Sequence, residues 1–137
     1  WRPSMSEIIT NKLTGKTAAG NVTITAGSAT MQLQQGVAKA WNNVNGTGTI
    51  ASRDSFNISG ITDNGTGDIT HSFTNSMGSA DTFVASGWVR VSANWGYWVG
   101  NNDSPMTSSS FRHGTLGTQD NSYDALFATM QIQGDLA

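Results

Sequence analysis

The sequence predicts an all-β protein: an antiparallel sandwich or barrel-like domain that follows an extended N-terminal arm. Composition is the first observation, because the 137 residues include 16 Gly, 17 Thr, 16 Ser and 12 Asn. Thr favours pleated strands, whereas Gly, Asn and Ser favour turns. The second observation is a series of short runs in which apolar and polar residues alternate, while no stretch repeats its apolar residues with the 3.6-residue period of a helix. Turn signals that recur every ~8–12 residues are typical of a sandwich or barrel.

The predicted arm covers residues 5–35 and shows two short strand patterns. The apolar positions that alternate with polar ones are Val22, Ile24, Ala26, Ala29, Met31 and Leu33. After Trp1 this segment has no aromatic residue, so it can hardly close a core of its own. We therefore expect it to pack against a neighbouring subunit. Residues 1–4 precede Met5 and are expected to be an upstream or expression-derived extension.

Residues 36–137 are predicted to form a compact β domain. The first half reads as three strands, over 37–44, 55–61 and 68–73. Turns are predicted at 45–48 and 63–67, where Asn and Gly tolerate positive φ. In the third strand Ile69, His71 and Phe73 share one face.

The second half of this domain continues the alternation. Near residue 90 one face is predicted to carry Val89, Val91, Ala93 and Trp95. In the final strand the inward positions are predicted to be Leu126, Ala128, Met130 and Ile132, with the opposite face formed by Phe127, Thr129, Gln131 and Gln133. The order of the strands in the sheets does not follow from these patterns.

Charge and cysteine content exclude several classes of protein. Charged residues make up 12% of the chain, the net charge is −2, and the seven basic residues are scattered, which argues against nucleic-acid binding. There is no cysteine, so disulfides and thiolate metal sites are excluded. No apolar run approaches the ~20 residues that span a bilayer, so we expect no membrane insertion.

Catalytic chemistry finds little support in the sequence. His71 and His113 are the only histidines; His71 is expected to be partly buried in a strand, and His113 to lie near a loop. No Gly-x-Ser-x-Gly elbow is present, and two histidines alone do not make a metal site. We expect no enzymatic activity, no catalytic residue, no metal and no cofactor.

The loop from Asp63 to Asp68 has two interpretations. Its carboxylate and amide oxygens are ligands that calcium accepts, but the spacing is not that of an EF-hand. A hairpin turn between Ile61 and Ile69 is the favoured interpretation.

The candidate binding residues lie in one aromatic stretch, namely Trp95, Tyr97, Trp98 and Asn101. Exposed aromatic rings stack on sugars or anchor protein interfaces, and a polar loop follows them. The competing interpretation, which we favour, places both tryptophans in the core or in a subunit interface, since a strand pattern leads into the stretch.

One segment, residues 34–74, carries a family resemblance. Its motifs are Ala38-Lys39-Ala40-Trp41, Asn45-Gly46-Thr47-Gly48, Arg53-Asp54-Ser55-Phe56-Asn57-Ile58-Ser59 and Ile61-Thr62-Asp63-Asn64-Gly65-Thr66-Gly67-Asp68. This series resembles a segment common in tail fibres and other virion surface proteins of tailed bacteriophages, marine ones especially. The chain departs from that pattern at Val44 and Ile69, where those proteins usually have an aromatic residue.

The resemblance implies a β-rich structural protein at the surface of a virion, a homotrimer, and it does not imply catalysis. It implies a small appendage, either a tail-fibre-like component or a capsid decoration protein, whose partners are other copies of itself and other virion proteins. The alternative is an adhesin tip that binds host-surface glycan.

Overall fold

The computed structural model describes residues 8–15, 22–91, 97–100, 106–117 and 121–137, and it excludes the side chains of Ala26 and of residues 97–100. The chain divides into two compact units, Trp1–Gly36 and Val37–Ala137. In the described residues, no helix has the length and apolarity to cross a membrane.

The first unit contains a β-hairpin and one helical turn. Strands β1 (Thr23–Ala26) and β2 (Ala29–Gln32) pair antiparallel, and helix α1 (Leu33–Gly36) follows. Gly27 adopts a φ of 63° in the turn of the hairpin. Ile24 pairs with Met31 across the strands, and these side chains are 44% and 55% exposed.

The second unit is a sandwich of two four-stranded antiparallel sheets, which confirms the predicted fold class. The first sheet has the order β4-β3-β10-β7, built from β4 (Ala51–Phe56), β3 (Ala40–Asn45), β10 (Phe127–Gly134) and β7 (Phe83–Arg90). The second sheet has the order β5-β6-β9-β8, built from β5 (Ile58–Gly65), β6 (Asp68–Phe73), β9 (Ser110–Leu116) and β8 (Tyr97–Gly100).

Alternate residues of the central strands point into the sandwich, as the period of two requires. They form two apolar clusters. The phenylalanine cluster comprises Ala40, Phe73, Met77, Phe83, Phe111, Met130 and Ile132. The valine cluster comprises Val44, Ile69, Val89, Ala125 and Ala128.

The predicted strand over 55–61 is wrong, because a turn at Asn57 divides it between the two sheets. Asn57 has a φ of 57°, a left-handed conformation that Asn tolerates better than most residues. Its side-chain amide donates to the carbonyls of Lys39 and Asn75 at 2.9 and 3.0 Å, and its Oδ1 accepts the Asn75 N–H at 2.7 Å. Phe56 therefore ends β4 in one sheet, and Ile58 begins β5 in the other.

Both predicted turns connect paired antiparallel strands, but the second is shorter than predicted, because Asp63, Asn64 and Gly65 belong to β5. Gly48 has a φ of 67° between β3 and β4, and Gly67 has a φ of 68° between β5 and β6. At Gly67 a Cβ would also lie 2.7 Å from the carbonyl oxygen of Thr115. Glycine is thus required there both for its backbone conformation and for the close approach of β9.

Among the described residues, the faces predicted for the later strands are confirmed except at Leu126. The prediction that Leu126 points inward is wrong, because this residue is half-buried and precedes β10, and Ala125 is the buried residue at that place. Ala128, Met130 and Ile132 are buried, and Phe127 and its alternate neighbours face outward. Val89 and Val91 are buried as well. Ala93 and Trp95, predicted on the same face, lie outside the described residues.

Candidate functional site

The aromatic stretch predicted to bind ligand is only partly described. Trp95 and Asn101 lie outside the described residues. Tyr97 and Trp98 begin β8, where their backbones pair with Leu116 and Thr115 of β9. The binding role of these four residues stays a prediction.

The Asp63–Asp68 loop is the β5–β6 hairpin, as the favoured interpretation states. Asp63 Oδ1 accepts the backbone N–H of Gly65 at 2.9 Å, which closes the turn. Arg112 binds the Asp68 carboxylate through two nitrogens, with Nε 2.7 Å from Oδ1. No three potential metal ligands of the His, Cys, Asp or Glu type gather anywhere in the described part of the chain.

The two histidines, 42 residues apart, meet inside the sandwich. His71 Nε2 lies 3.2 Å from His113 Nδ1, and the rings stack with centroids 5.0 Å apart and planes inclined by 14°. Asn42 of the opposite sheet places its Nδ2 3.1 Å from His71 Nδ1. The expectation that His113 lies near a loop is wrong, because it is fully buried in β9.

This histidine network lies between the two apolar clusters. Asn42 stands between Ala40 and Val44 on β3, and His71 stands between Ile69 and Phe73 on β6, with one member of each pair in each cluster. With the Asn42 amide nitrogen facing His71, that nitrogen donates and His71 Nδ1 accepts, so His71 Nε2 carries the proton that it donates to His113. The network links the sheets through hydrogen bonds of defined direction.

Both histidines are held neutral by their surroundings. Burial, together with the smaller effect of the adjacent His113, lowers the pKa of His71 to about 3. Burial likewise lowers the pKa of His113 to about 4, although the Asp68 carboxylate acts in the opposite direction. Because neither side chain has an exposed surface, the network supports the fold and offers no access to a substrate.

The outer face of the first sheet carries an exposed aromatic and cationic cluster. Trp88, 56% exposed, stacks on Phe127 with centroids 6.2 Å apart and planes inclined by 18°. The guanidinium carbon of Arg53 lies 4.2 Å from the centroid of Phe127, and that of Arg90 lies 5.9 Å from it. Arg53 is also oriented by its hydrogen bond to Asn45 Oδ1 at 3.1 Å.

Beside this cluster lies a groove, here called the sheet-face groove, with a volume of about 560 Å³. Its outward-facing lining combines two indoles with amide and hydroxyl groups, supplied by Trp41, Asn43, Ser86, Trp88, Thr129 and Gln131. Both the volume and this mixture of rings and polar groups are typical of small-molecule sites.

The backbone around Gly87 shapes the groove. The Thr129 hydroxyl accepts the N–H of Trp88 at 3.2 Å and donates to the carbonyl of Trp88 at 3.1 Å. A Cβ at Gly87 would lie 2.1 Å from the backbone oxygen of Thr129. The absence of a side chain at Gly87 therefore allows β7 to approach β10 and sets the position of Trp88.

Sequence reasoning did not identify this face as a site. The available signal was the alternation that places Val89 inward, since it also places Trp88 and Arg90 outward. The alternation of the final strand similarly turns Phe127 and Thr129 outward. Their convergence depends on the pairing of β7 with β10, which the sequence pattern does not specify.

Comparison with known proteins adds no relative. No protein-family model matches the chain, and neither a curated protein nor a solved structure is found to match it.

Proposed function

We propose that this chain is a structural protein of a tailed-bacteriophage virion, a small homotrimeric surface appendage of the tail-fibre-like or capsid-decoration type without enzymatic activity. The observation that carries the proposal is the resemblance of residues 34–74 to virion surface proteins. In the fold this segment includes β3 and β4 of the first sheet and β5 and β6 of the second. Its Asn-Gly motifs form hairpin turns, which suits a structural role.

The first unit supports a role in assembly. Its apolar side chains are exposed, with Ile8 at 84%, Ile9 at 85% and Leu13 at 58%, in addition to the Ile24–Met31 pair. Burial of such exposed apolar side chains against a neighbouring subunit is favourable, because it removes apolar surface from water. We place the contacts between subunits on this unit.

Two measurements test the proposal. Mass spectrometry of density-purified particles of the encoding phage should detect this chain, and its absence from those particles contradicts a virion role. Light scattering at micromolar concentration should give about 43 kDa, three times the 14.4 kDa of one chain. Changing Ile24 and Met31 to serine should lower this mass, whereas Val84→Ser, at a side chain 67% exposed on β7, should not. A monomer mass for the unaltered protein contradicts the trimer.

A second candidate function is an adhesin that binds host-surface glycan. The sheet-face groove favours it, because aromatic rings beside amide and hydroxyl groups are suited to the two faces of a sugar. Both functions are compatible in one surface protein. Binding of purified protein to host cells should fall when Trp88 is changed to alanine, and unchanged binding contradicts a role for the groove.

A further inference from the structure

We propose that the sheet-face groove binds an acidic polysaccharide, in which pyranose rings pack on Trp88 and Trp41 and sugar carboxylates pair with Arg53 and Arg90. This inference names the ligand class of the adhesin function and rests on that function. It differs from the sequence-based prediction, which placed glycan binding at Trp95–Trp98.

The aromatic contribution comes from the exposed ring of Trp88. Phe127 stacks against this indole, so the ring is held in place and loses little conformational freedom when a ligand binds. Trp41, half-buried on β3, lines the same groove. The C–H face of a pyranose ring is apolar and matches such exposed indole surfaces.

Charge supplies the reason for an acidic ligand. The second unit has four basic residues, Lys39, Arg53, Arg90 and Arg112. Lys39 is buried, and Arg112 pairs with Asp68. The two exposed cations, Arg53 and Arg90, converge on the single ring of Phe127. Neither forms a salt bridge with any carboxylate among the described residues.

This convergence brings like charges together, which is unfavourable unless an anion or aromatic surface offsets it. Asp54 lies opposite Asn43 on β4, and its Oδ1 accepts the backbone N–H of Ser55 at 2.8 Å. One carboxylate against two guanidinium groups leaves this end of the face positive. A ligand carboxylate accepts charge-assisted hydrogen bonds from such guanidinium groups.

The groove also holds acceptors suited to sugar hydroxyls. The side-chain oxygen of the outward-facing Asn43 is buried at its wall and accepts no hydrogen bond from the described residues. A buried acceptor without a donor is costly, and a ligand hydroxyl is a donor that relieves this cost. Gln131 and Ser86 add further polar groups to the lining.

The register sets the length of ligand that fits. Trp88 pairs with Thr129, and Arg90 pairs with Phe127 two residues along the strands. Two residues correspond to about 7 Å along a strand. This spacing suits a polymer in which a sugar ring on Trp88 and a carboxylate at Arg90 belong to neighbouring units.

Titration calorimetry on the full chain tests the inference with two acidic probes, tetragalacturonate and sialyllactose. Their neutral counterparts are the methyl ester of tetragalacturonate and lactose. At least one acidic probe should bind saturably, more tightly than its neutral counterpart, and the preference should shrink in high salt. Trp88→Ala should weaken acidic binding about tenfold, the effect expected for one lost ring contact.

Substitutions separate charge from stacking. Arg53→Gln with Arg90→Gln should remove the preference for the acidic probe and leave the neutral affinity unchanged. Val84→Ser on the same strand and Lys12→Gln in the first unit are the matched controls, and both should bind like the unaltered protein. Circular dichroism should show that every variant is folded.

Each contrary result has a distinct meaning. Equal affinity for acidic and neutral probes overturns the acidic ligand but leaves the adhesin function standing. No binding of any probe overturns both. Loss of binding in Trp98→Ala but not in Trp88→Ala overturns the groove and supports the sequence-predicted site. A changed oligomeric mass in Trp88→Ala, without sugar binding by the unaltered protein, identifies the face as a subunit contact and overturns the inference.

Discussion

The buried histidine pair predicts a steep loss of stability in mild acid. Each histidine has an ordinary pKa of 6.5, which burial lowers to about 3 in His71 and about 4 in His113. As the pH falls below 6.5, these histidines therefore become protonated in the unfolded chain but stay neutral in the folded chain. The stabilisation is fully present above pH 6.5, declines toward pH 4, and stops declining once the folded histidines are protonated.

The magnitude follows from the unfolded state. At pH 5 the protonated form of a histidine in the unfolded chain outnumbers its neutral form about 30-fold, which lowers the free energy of the unfolded chain by about 2 kcal/mol. The same histidine in the folded chain remains mostly neutral and gains little. The two histidines together should lower the free energy of unfolding by about 4 kcal/mol between pH 8 and pH 5. That is a large fraction of the ~5–15 kcal/mol by which small domains are stable.

The assay is urea unfolding followed by the fluorescence of the five tryptophans, at one protein concentration and at several pH values from 8 to 5. Few other groups interfere, since carboxylates ordinarily titrate near pH 4. The variant with His71→Gln and His113→Gln is the control. It should be less stable at pH 8, because the Asn42 network is lost, but its stability should hardly change down to pH 5.

Two results would refute this reasoning. Equal stability of the unaltered protein at pH 8 and pH 5 would mean that the histidines accept protons within the folded sandwich. If the stability of the double variant depended on pH as strongly as that of the unaltered protein, the pH dependence would arise from groups other than these histidines.

Three further substitutions test the packing, each by urea unfolding at pH 8. Gly87→Ala should lower the free energy of unfolding by about 1–3 kcal/mol, because the new Cβ would collide with the Thr129 backbone. The control is Gly60→Ala, whose Cβ would have no neighbour within 4 Å, and it should change stability by less than about 1 kcal/mol. Asn57→Ala should cost about 2 kcal/mol or more through its lost hydrogen bonds and its positive φ, and an unchanged midpoint contradicts its role in dividing β4 from β5. Phe83→Ala should cost about 3–5 kcal/mol, because Phe83 is buried against Phe73 and Phe111; a cost under about 1 kcal/mol contradicts the phenylalanine cluster.

Local patterns predicted much of the fold. The alternation of Ile69, His71 and Phe73 identified a buried face correctly, because a half-buried strand imposes a period of two on its residues. The Asn-Gly motifs identified two hairpins, since positive φ restricts residue choice within a few positions. Both patterns depend only on residues that are close together in the chain, so they can be recognised in a single sequence.

The errors and omissions arise where distant segments meet. The break at Asn57 depends on hydrogen bonds to Lys39 and Asn75, each 18 residues away. The histidine pair and the sheet-face groove require pairings across about 40 residues, such as Trp88 with Thr129. No local pattern encodes which outward-facing side chains converge, so the groove emerged only from the register of β7, β10 and β3.

The proposal of a virion surface protein is tested most directly by antibody labelling of intact particles of the phage that encodes this chain. Antibodies raised against the purified protein should bind at defined positions on the outside of the tail or the capsid, as seen by electron microscopy. Label that is absent from intact particles, while the chain is abundant in the lysate, would contradict the proposal.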